Sequence, residues 1–229
     1  IRIQLVSLNQ NVKLYSRTGD DISKTFPEIT SLKLNQNFSL DGELMAGEIN
    51  RPGTFNDLQQ RLNRKSPSKE IIKTVPTFII AYDILFLQSS DIRKKKITER
   101  RKILSQFLNK ENLPFIKFSE EVKFKDFNEL EQKRLKCREE LNYEGLMLKL
   151  KNSIYQPGRP KGPWYKFKRD PFNVDVVLLY AQRGHGKRSS LYSDYTFGVW
   201  QKSSLKEELV TVGKAYSGCL LYTSDAADE

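Results

Sequence analysis

Short runs in which apolar and polar residues alternate recur along the chain and constrain its fold more than any other feature. The first run opens the sequence, where Ile1, Ile3 and Leu5 alternate with Arg2 and Gln4. Successive side chains of a β-strand point to opposite faces, so each run predicts a strand with one apolar and one polar face. Strands therefore dominate the predicted fold.

Two further runs carry acidic residues on predicted strands. In FSLDGELMAG, Leu40, Gly42 and Leu44 would share one face, and Asp41 and Glu43 the other. The run FIIAYDILFL, which contains Tyr82 and Asp83, is predicted to be a buried strand from its length and β-branched content. Carboxylates at this density on strands suit a divalent metal with oxygen ligands.

The runs EGLMLKLK and WYKFKRD place several lysines on neighbouring strands. Because side chains alternate between the two faces of a strand, Lys149 would project opposite to the leucines of the first run. For the same reason, Trp164, Lys166 and Lys168 would share one face of the second run. Glu144 stands where the first of these strands begins. Such a face is either solvated or binds an anion, and the two runs alone leave both readings open.

Helices and a domain boundary complete the predicted organisation. Thr54 opens a helix with Asp57 at its third position and with an apolar stripe of Phe55, Leu58 and Leu62. The segment ITERRKILSQFLNKE is predicted to be an amphipathic helix. Another helix is predicted over residues 128–141. Pro171 interrupts the pattern and new strands follow, so a boundary is predicted near Phe172.

Charge and cysteine content narrow the possible functions. The 229 residues contain 39 Lys and Arg against 28 Asp and Glu, a net charge of +11. This excess favours a polyanionic partner, nucleic acid before membrane, although a merely basic protein would show it too. No apolar run is long enough to span a membrane. Two cysteines and a single histidine argue against a disulfide framework and against a histidine-based zinc site, and a cytoplasmic location is expected.

The segments SRTGDD, LDGELMAG, FIIAYDIL, EGLMLK and WYKFK occur in this order along the chain. In order and spacing they resemble motifs Ia, III, IIIa, IV and V of ATP-dependent DNA ligases. The stretches YQPGRPKGPWYKFKRDP and SLYSDYTFGVW resemble the bacterial branch of that family in particular. The resemblance implies an α+β nucleotidyltransferase domain of antiparallel sheets with flanking helices over residues 1–172. It also implies the start of an OB-fold β-barrel over residues 173–218. The final segment, 219–229, resembles a translation of sequencing-adapter DNA and is expected to be a non-native tail.

The resemblance implies that ATP is bound by residues of these motifs. The implied nucleotide-binding residues are Arg2, Arg17, Glu43, Tyr82, Lys149, Lys166 and Lys168. Among them Tyr82 would face the adenine ring, Glu43 would contact the ribose, and Lys166 and Lys168 would hold the phosphate of AMP.

Other implied roles concern the metal and weaker contacts. Glu144 and Glu43 are the implied ligands of Mg²⁺, and Asp41 would support Glu43. Trp164 and Arg159 are implied only as weak contacts to DNA or nucleotide.

The sequence departs from the family pattern at the nucleophile. No Lys-x-Asp-Gly occurs in the 229 residues, and Arg2 matches the arginine that closes this motif. We therefore expect a fragment that begins just past its own lysine, lacks most of the OB domain and is inactive alone. The expected partner of the whole protein is nicked duplex DNA, bound by a monomer in the cytoplasm at the nucleoid. An RNA ligase or mRNA-capping enzyme, or a non-catalytic nucleic-acid-binding domain, remain alternatives.

Overall fold

The computed structural model describes residues 1–62, 64–141, 143–158, 161–168, 170, 173–186, 189–202 and 207–216. The chain divides into two compact units, Ile1–Arg169 and Asp170–Glu229. The predicted boundary at Phe172 lies outside the described residues. The first unit combines sheets with helices, in agreement with the predicted α+β class.

A mixed sheet forms the centre of the first unit. Its strands are β1 (Arg2–Leu8), β2 (Asn11–Ser16), β3 (Phe38–Glu48), β4 (Arg51–Pro52), β5 (Thr77–Leu87), β6 (Ser90–Asp91) and β7 (Ile116–Phe118). The order is β2-β1-β3-β5-β6, with β4 paired to β3 and β7 paired to β5. The β5–β7 pair is parallel, whereas the other pairs are antiparallel.

The predicted alternation of apolar and polar side chains is found in the neighbouring strands β1 and β3. Ile3 and Leu5 of β1 and Leu40 and Leu44 of β3 are buried in one core cluster. Strand β5 is buried along most of both faces, as its continuous apolar run predicts. The β3–β5 register shifts after Asp41, so one residue of β5 is left without a cross-strand partner. Such a bulge re-aims the side chain that it carries.

Helices join the strands of the first unit along the chain. They are a 3₁₀ turn (Ser23–Thr25), α1 (Pro27–Thr30), α2 (Phe55–Leu62), α3 (Lys69–Thr74), α4 (Ile97–Glu111) and α5 (Phe127–Leu141). In α4, Leu104, Phe107 and Leu108 are buried against the core, as its amphipathic pattern predicts. None of the helices in the described part of the chain is long and apolar enough to cross a membrane.

Helix α2 begins as predicted and buries most of its predicted apolar stripe. The Thr54 amide donates to Asp57 Oδ2 at 2.7 Å, and the Asp57 amide to Thr54 Oγ1 at 3.3 Å, which forms the expected cap. Phe55, predicted to belong to the apolar stripe, is 59% exposed. Leu58 is buried and Leu62 packs against the core, as the stripe predicts. Arg61 is buried beside them, where its Nη2 donates to both carboxylate oxygens of Glu28 at 2.7 and 3.0 Å.

Strands β8 (Gly145–Lys149) and β9 (Trp164–Lys168) form a separate antiparallel ladder. Helix α5 packs on one of its faces, where Phe127 and Arg134 lie 5.9 and 4.9 Å from the centre of the Phe167 ring. Arg134 also donates a hydrogen bond to the Lys168 carbonyl oxygen. These contacts cover Phe167 on one side of β9, whereas Lys166 and Lys168 project to the opposite side.

The second unit contains the antiparallel strands β10 (Val177–Arg183), β11 (Tyr192–Lys202) and β12 (Glu207–Tyr216). They form a sheet in the order β10-β11-β12. This arrangement is the one expected for consecutive strands joined by short loops. That it is the beginning of an OB fold stays a prediction.

Candidate active site

Three predicted residues lie together on the polar face of the central sheet. Arg2 pairs with Glu43, and Gln4 with Asp41, in the β1–β3 register. Cross-strand partners project from the same face, so the register brings these side chains together. The Arg2 Nη2 donates to Asp41 Oδ2 at 2.7 Å.

Asp41 is the buried centre of this group. Its side chain has no exposed surface, and its Oδ2 also accepts a hydrogen bond from the Tyr155 hydroxyl at 3.1 Å. Arg2 contacts the same hydroxyl at 3.2 Å. No described residue offers a hydrogen bond to the other carboxylate oxygen, Oδ1. An unpaired buried oxygen costs about 1–3 kcal/mol and is a reason to expect a further partner.

Gly42 separates the two acids and has a steric reason to be glycine. A Cβ at this position would lie 2.8 Å from Ile79 Cγ2 and 2.9 Å from the Ile80 carbonyl oxygen. Real Cβ atoms do not approach this closely, so any side chain would push β5 away from β3. The motif Asp-Gly-Glu therefore keeps the two strands close beside the bulge.

Tyr82 occupies that bulge and faces the ladder of β8 and β9. The Lys149 Nζ lies 4.4 Å from the centre of the Tyr82 ring and 4.2 Å from that of Trp164. Burial of Lys149 lowers the pKa of its amine to about 8. Burial likewise raises the pKa of the Tyr82 hydroxyl, so this tyrosine is neutral at physiological pH.

Lys166 and Lys168 of β9 share a face of the ladder with Lys149, as the alternation of side chains along a strand predicts. In the ladder, Lys149 pairs with Trp164, Met147 with Lys166 and Gly145 with Lys168. Lys168 Nζ lies 2.8 Å from Glu144 Oε2, and the Glu144 side chain is 81% exposed. The hydrogen bond from Lys168 lowers the pKa of the Glu144 carboxyl.

Gly145 fixes the start of this ladder. Its φ of +148° is a conformation that L side chains rarely adopt, and a Cβ would lie 2.5 Å from the Phe167 carbonyl oxygen. The glycine lets β8 approach β9 directly beside Glu144. The local sequence Glu-Gly thus places a carboxylate next to the lysines of the neighbouring strand.

Comparison with known proteins decides the family. Residues 1–168 match the family model described as the ATP dependent DNA ligase domain. The chain belongs to the ATP-dependent DNA ligase family. The resemblance drawn from the order of the motifs is thereby confirmed.

Similar sequences carry the same description. The chain is 34% identical over 241 residues to a probable DNA ligase of Koribacter versatilis, covering 95% of the chain and 41% of the relative. It is 32% identical over 225 residues to a DNA ligase of Methanococcus aeolicus, covering 95% and 38%. The chain spans less than half the length of these curated relatives.

Solved structures support the fold. The ligase domain of M. tuberculosis LigD superposes with a TM-score of 0.59 at 22% identity, over 96% of this chain and 65% of that one. A Lig E DNA ligase described as binding DNA with a minimal scaffold gives 0.66 at 17% identity, over 99% and 77%. The α+β fold expected for the ligase family is confirmed.

Asp83 is a strand carboxylate of this ligase domain that does not belong to the site. Asp83 and Arg100 are both fully buried and form two hydrogen bonds of 2.8 Å. The prediction from the sequence that Asp83 is one of the metal-binding acids is therefore wrong, because its carboxylate is paired with Arg100. Arg100 lies 5.9 Å from the centre of the Tyr155 ring and so packs beneath the site.

The remaining sequence predictions concern Arg17, Glu43 and Arg159. Arg17 is exposed in the turn after β2, and no described residue forms a hydrogen bond or ion pair with its side chain. Glu43 is 45% exposed and lies 3.3 Å from the Ile1 amine. Arg159 lies outside the described residues. The structure therefore brings Arg2, Glu43, Asp41, Tyr82 and Lys149 together, whereas it does not place Arg17 against them.

Sequence reasoning missed two residues that support the site. Tyr155 lies in a loop without periodicity, although its backbone is held by a hydrogen bond from its amide to the Arg93 carbonyl oxygen. Arg100 stands in a charged stretch of α4, where an exposed position is the usual expectation. Neither residue carried a signal in the sequence beyond its type.

Proposed function

We propose that this chain provides the nucleotide-binding part of an ATP-dependent DNA ligase that seals nicks in duplex DNA. One observation carries the proposal: distant segments that match ligase motifs converge on one polar face of the central sheet. The converging residues are Arg2, Asp41, Glu43, Tyr82 and Lys149. The family match over residues 1–168 supports assigning ligase chemistry to this face.

ATP is the proposed substrate of the site. Tyr82 would face the adenine, and Glu43, held in place beside Asp41, would contact the ribose. The lysines Lys149, Lys166 and Lys168 would hold the phosphates together with Arg2, and Arg17 would join them from its exposed turn. Phosphoryl and nucleotidyl transfers are promoted mainly by positioning and by neutralising charge on phosphate oxygens, which cationic side chains can do.

The acids of the site suit Mg²⁺. The described residues contain no group of three or more side chains that could hold a metal on their own. Mg²⁺ usually keeps waters and binds through one or two carboxylates together with substrate phosphates. Glu144 and Glu43 are exposed enough to serve, and Mg²⁺ bound there would neutralise phosphate charge.

The reaction proposed for the whole protein has three displacements at phosphorus. A lysine amine attacks the α-phosphate of ATP and pyrophosphate leaves. The 5′-phosphate of the nick then takes AMP from the lysine, and the 3′-hydroxyl attacks this 5′-phosphate, forms the phosphodiester bond and releases AMP. The 229 residues contain no Lys-x-Asp-Gly, so this chain would bind and orient the nucleotide while the attacking amine comes from elsewhere.

DNA is the proposed second substrate. The net charge of +11 supports binding to a polyanion. Action as a monomer in the cytoplasm, at the nucleoid, remains part of the proposal.

The test restores the missing amine. A Lys-x-Asp-Gly segment joined ahead of Ile1, with a complete OB domain after the described strands, should give an acid-labile AMP adduct with α-labelled ATP and should seal nicked DNA. The unextended chain should give no adduct, because its lysines are placed to bind phosphate rather than attack it. An adduct on the unextended chain, or sealing of nicked RNA in preference to nicked DNA, would contradict the proposal.

A further inference from the structure

The amine of Lys149 lies between two aromatic rings. It is 4.2 Å from the centre of the Trp164 ring and 4.4 Å from that of Tyr82. Among the described residues, no hydrogen-bond acceptor or carboxylate pairs with this amine. The two ring faces are therefore the groups that the ammonium contacts, and Asp83 and Asp41 act on it electrostatically without pairing with it.

The backbone fixes both rings around this amine. Trp164 is the cross-strand partner of Lys149 in the β8–β9 ladder, and Tyr82 is held at the bulge of β5. At 4.4 Å from the ring centre, the ammonium fills the volume over the Tyr82 face that looks toward the ladder. A planar base stacked on that face would occupy the same volume, since stacked rings also lie in contact distance of each other.

We propose that Lys149 makes the site specific for nucleotides over nucleosides. A base can stack on Tyr82 only by displacing the Lys149 ammonium. The displaced ammonium then needs a phosphate as its new partner. The inference rests on the proposed function, in which Tyr82 faces the base.

The displaced amine loses its contact with the ring and gains a new partner only when the ligand carries a phosphate. A cation on an aromatic face is attracted by the ring, most strongly where water is excluded. A nucleoside removes this attraction and offers no anion in return. A nucleotide replaces it with a charge-assisted hydrogen bond to phosphate, which is stronger. Burial already lowers the pKa of Lys149 to about 8, so its charge is poorly compensated between the rings and should respond to a phosphate.

Substitution of Lys149 should change the two affinities in opposite directions. In Lys149→Ala, adenosine should bind about threefold to tenfold more tightly, because no cation–ring contact is lost. AMP should bind about tenfold more weakly, because the phosphate loses its partner. Lys149→Arg should restore AMP binding, since it keeps the charge. Lys95→Ala, which removes an exposed lysine of the first unit, should leave both affinities unchanged.

A second measurement uses the unaltered chain and does not depend on the folding of any variant. The rate of acetylation of each lysine by acetic anhydride at pH 8 is followed by mass spectrometry, with Lys95 as the internal reference. Adenosine should accelerate the labelling of Lys149, because it drives the amine out from between the rings. AMP should slow the labelling, because an amine paired with phosphate stays protonated.

The outcomes separate this inference from the proposed function. If Lys149→Ala weakens adenosine and AMP alike, or if adenosine slows the labelling of Lys149, the specificity role is wrong while the nucleotide site stands. If the unaltered chain binds neither AMP nor ATP, the proposed function fails and this inference fails with it. Opposite shifts for the two ligands would support both.

Discussion

The buried ion pair between Asp83 and Arg100 is predicted to contribute strongly to the free energy of unfolding, and this contribution can be tested. Neither side chain has exposed surface, and the pair is bidentate with both distances at 2.8 Å. Asp83 Oδ1 also accepts from the Ile84 amide at 2.9 Å, and Arg100 Nη1 donates to the Lys95 carbonyl oxygen at 2.5 Å. Removing Arg100 therefore leaves a buried carboxylate without its cation and a carbonyl without its donor.

Arg100→Met should lower the free energy of unfolding by about 3–5 kcal/mol, the usual loss when one partner of a buried pair is removed. With a typical dependence on urea, this moves the unfolding midpoint down by about 1–2 M. The double variant Asp83→Leu with Arg100→Met should recover most of that loss, because it leaves no unpaired charge.

The chain supplies a matched control in another aspartate–arginine pair. Arg93 Nε and Nη2 contact the Asp91 carboxylate at 3.0 and 2.7 Å, yet both side chains are about half exposed. Arg93→Met should shift the midpoint little, because water screens and replaces this pair. The geometry is similar in the two pairs, so the comparison isolates burial.

Circular dichroism at the helix band is a suitable signal, since all the α-helices in the described ranges lie in the first unit. Urea titrations of the unaltered chain, the two single variants and the double variant complete the experiment. Equal midpoint shifts for Arg100→Met and Arg93→Met would refute the reasoning. So would a double variant less stable than Arg100→Met alone.

Three further predictions concern the site and its DNA partner. Binding of the chain to duplex DNA should weaken steeply as salt rises, because bound phosphates release counterions, and a titration that is flat with salt would count against a phosphate-binding surface. In the extended protein, Glu144→Ala and Lys166→Ala should each slow nick sealing by about 10²- to 10³-fold through loss of one preorganised contact, whereas Lys95→Ala should seal normally. Gly145→Ala should destabilise the chain by about 1–3 kcal/mol more than Gly158→Ala in urea titrations, because both glycines have positive φ but only Gly145 would clash with backbone. Similar midpoints for the two glycine variants would show that β8 and β9 can separate without cost.

Local order along the chain sufficed to predict the strand faces and the cap of α2. Asp41 and Glu43 share a polar face because strand geometry alternates every residue, whatever lies beyond the strand. The same rule placed Lys166 and Lys168 together. The cap formed by Thr54 and Asp57 also depends only on residues three positions apart. The order of the motifs also indicated the protein family, and the family match over residues 1–168 confirmed it.

Tertiary structure alone decided which polar groups meet inside the molecule. Tyr155 reaches Asp41 across 114 positions of the chain, and Arg100 reaches Asp83 from a different element. Charged and hydroxyl groups are expected at the surface unless a partner compensates their burial, and no periodicity marks a partner that comes from a remote segment. Lys149 follows the same logic, because its strand fixes the direction of its side chain, whereas the bulge of β5 decides that its amine meets an aromatic ring.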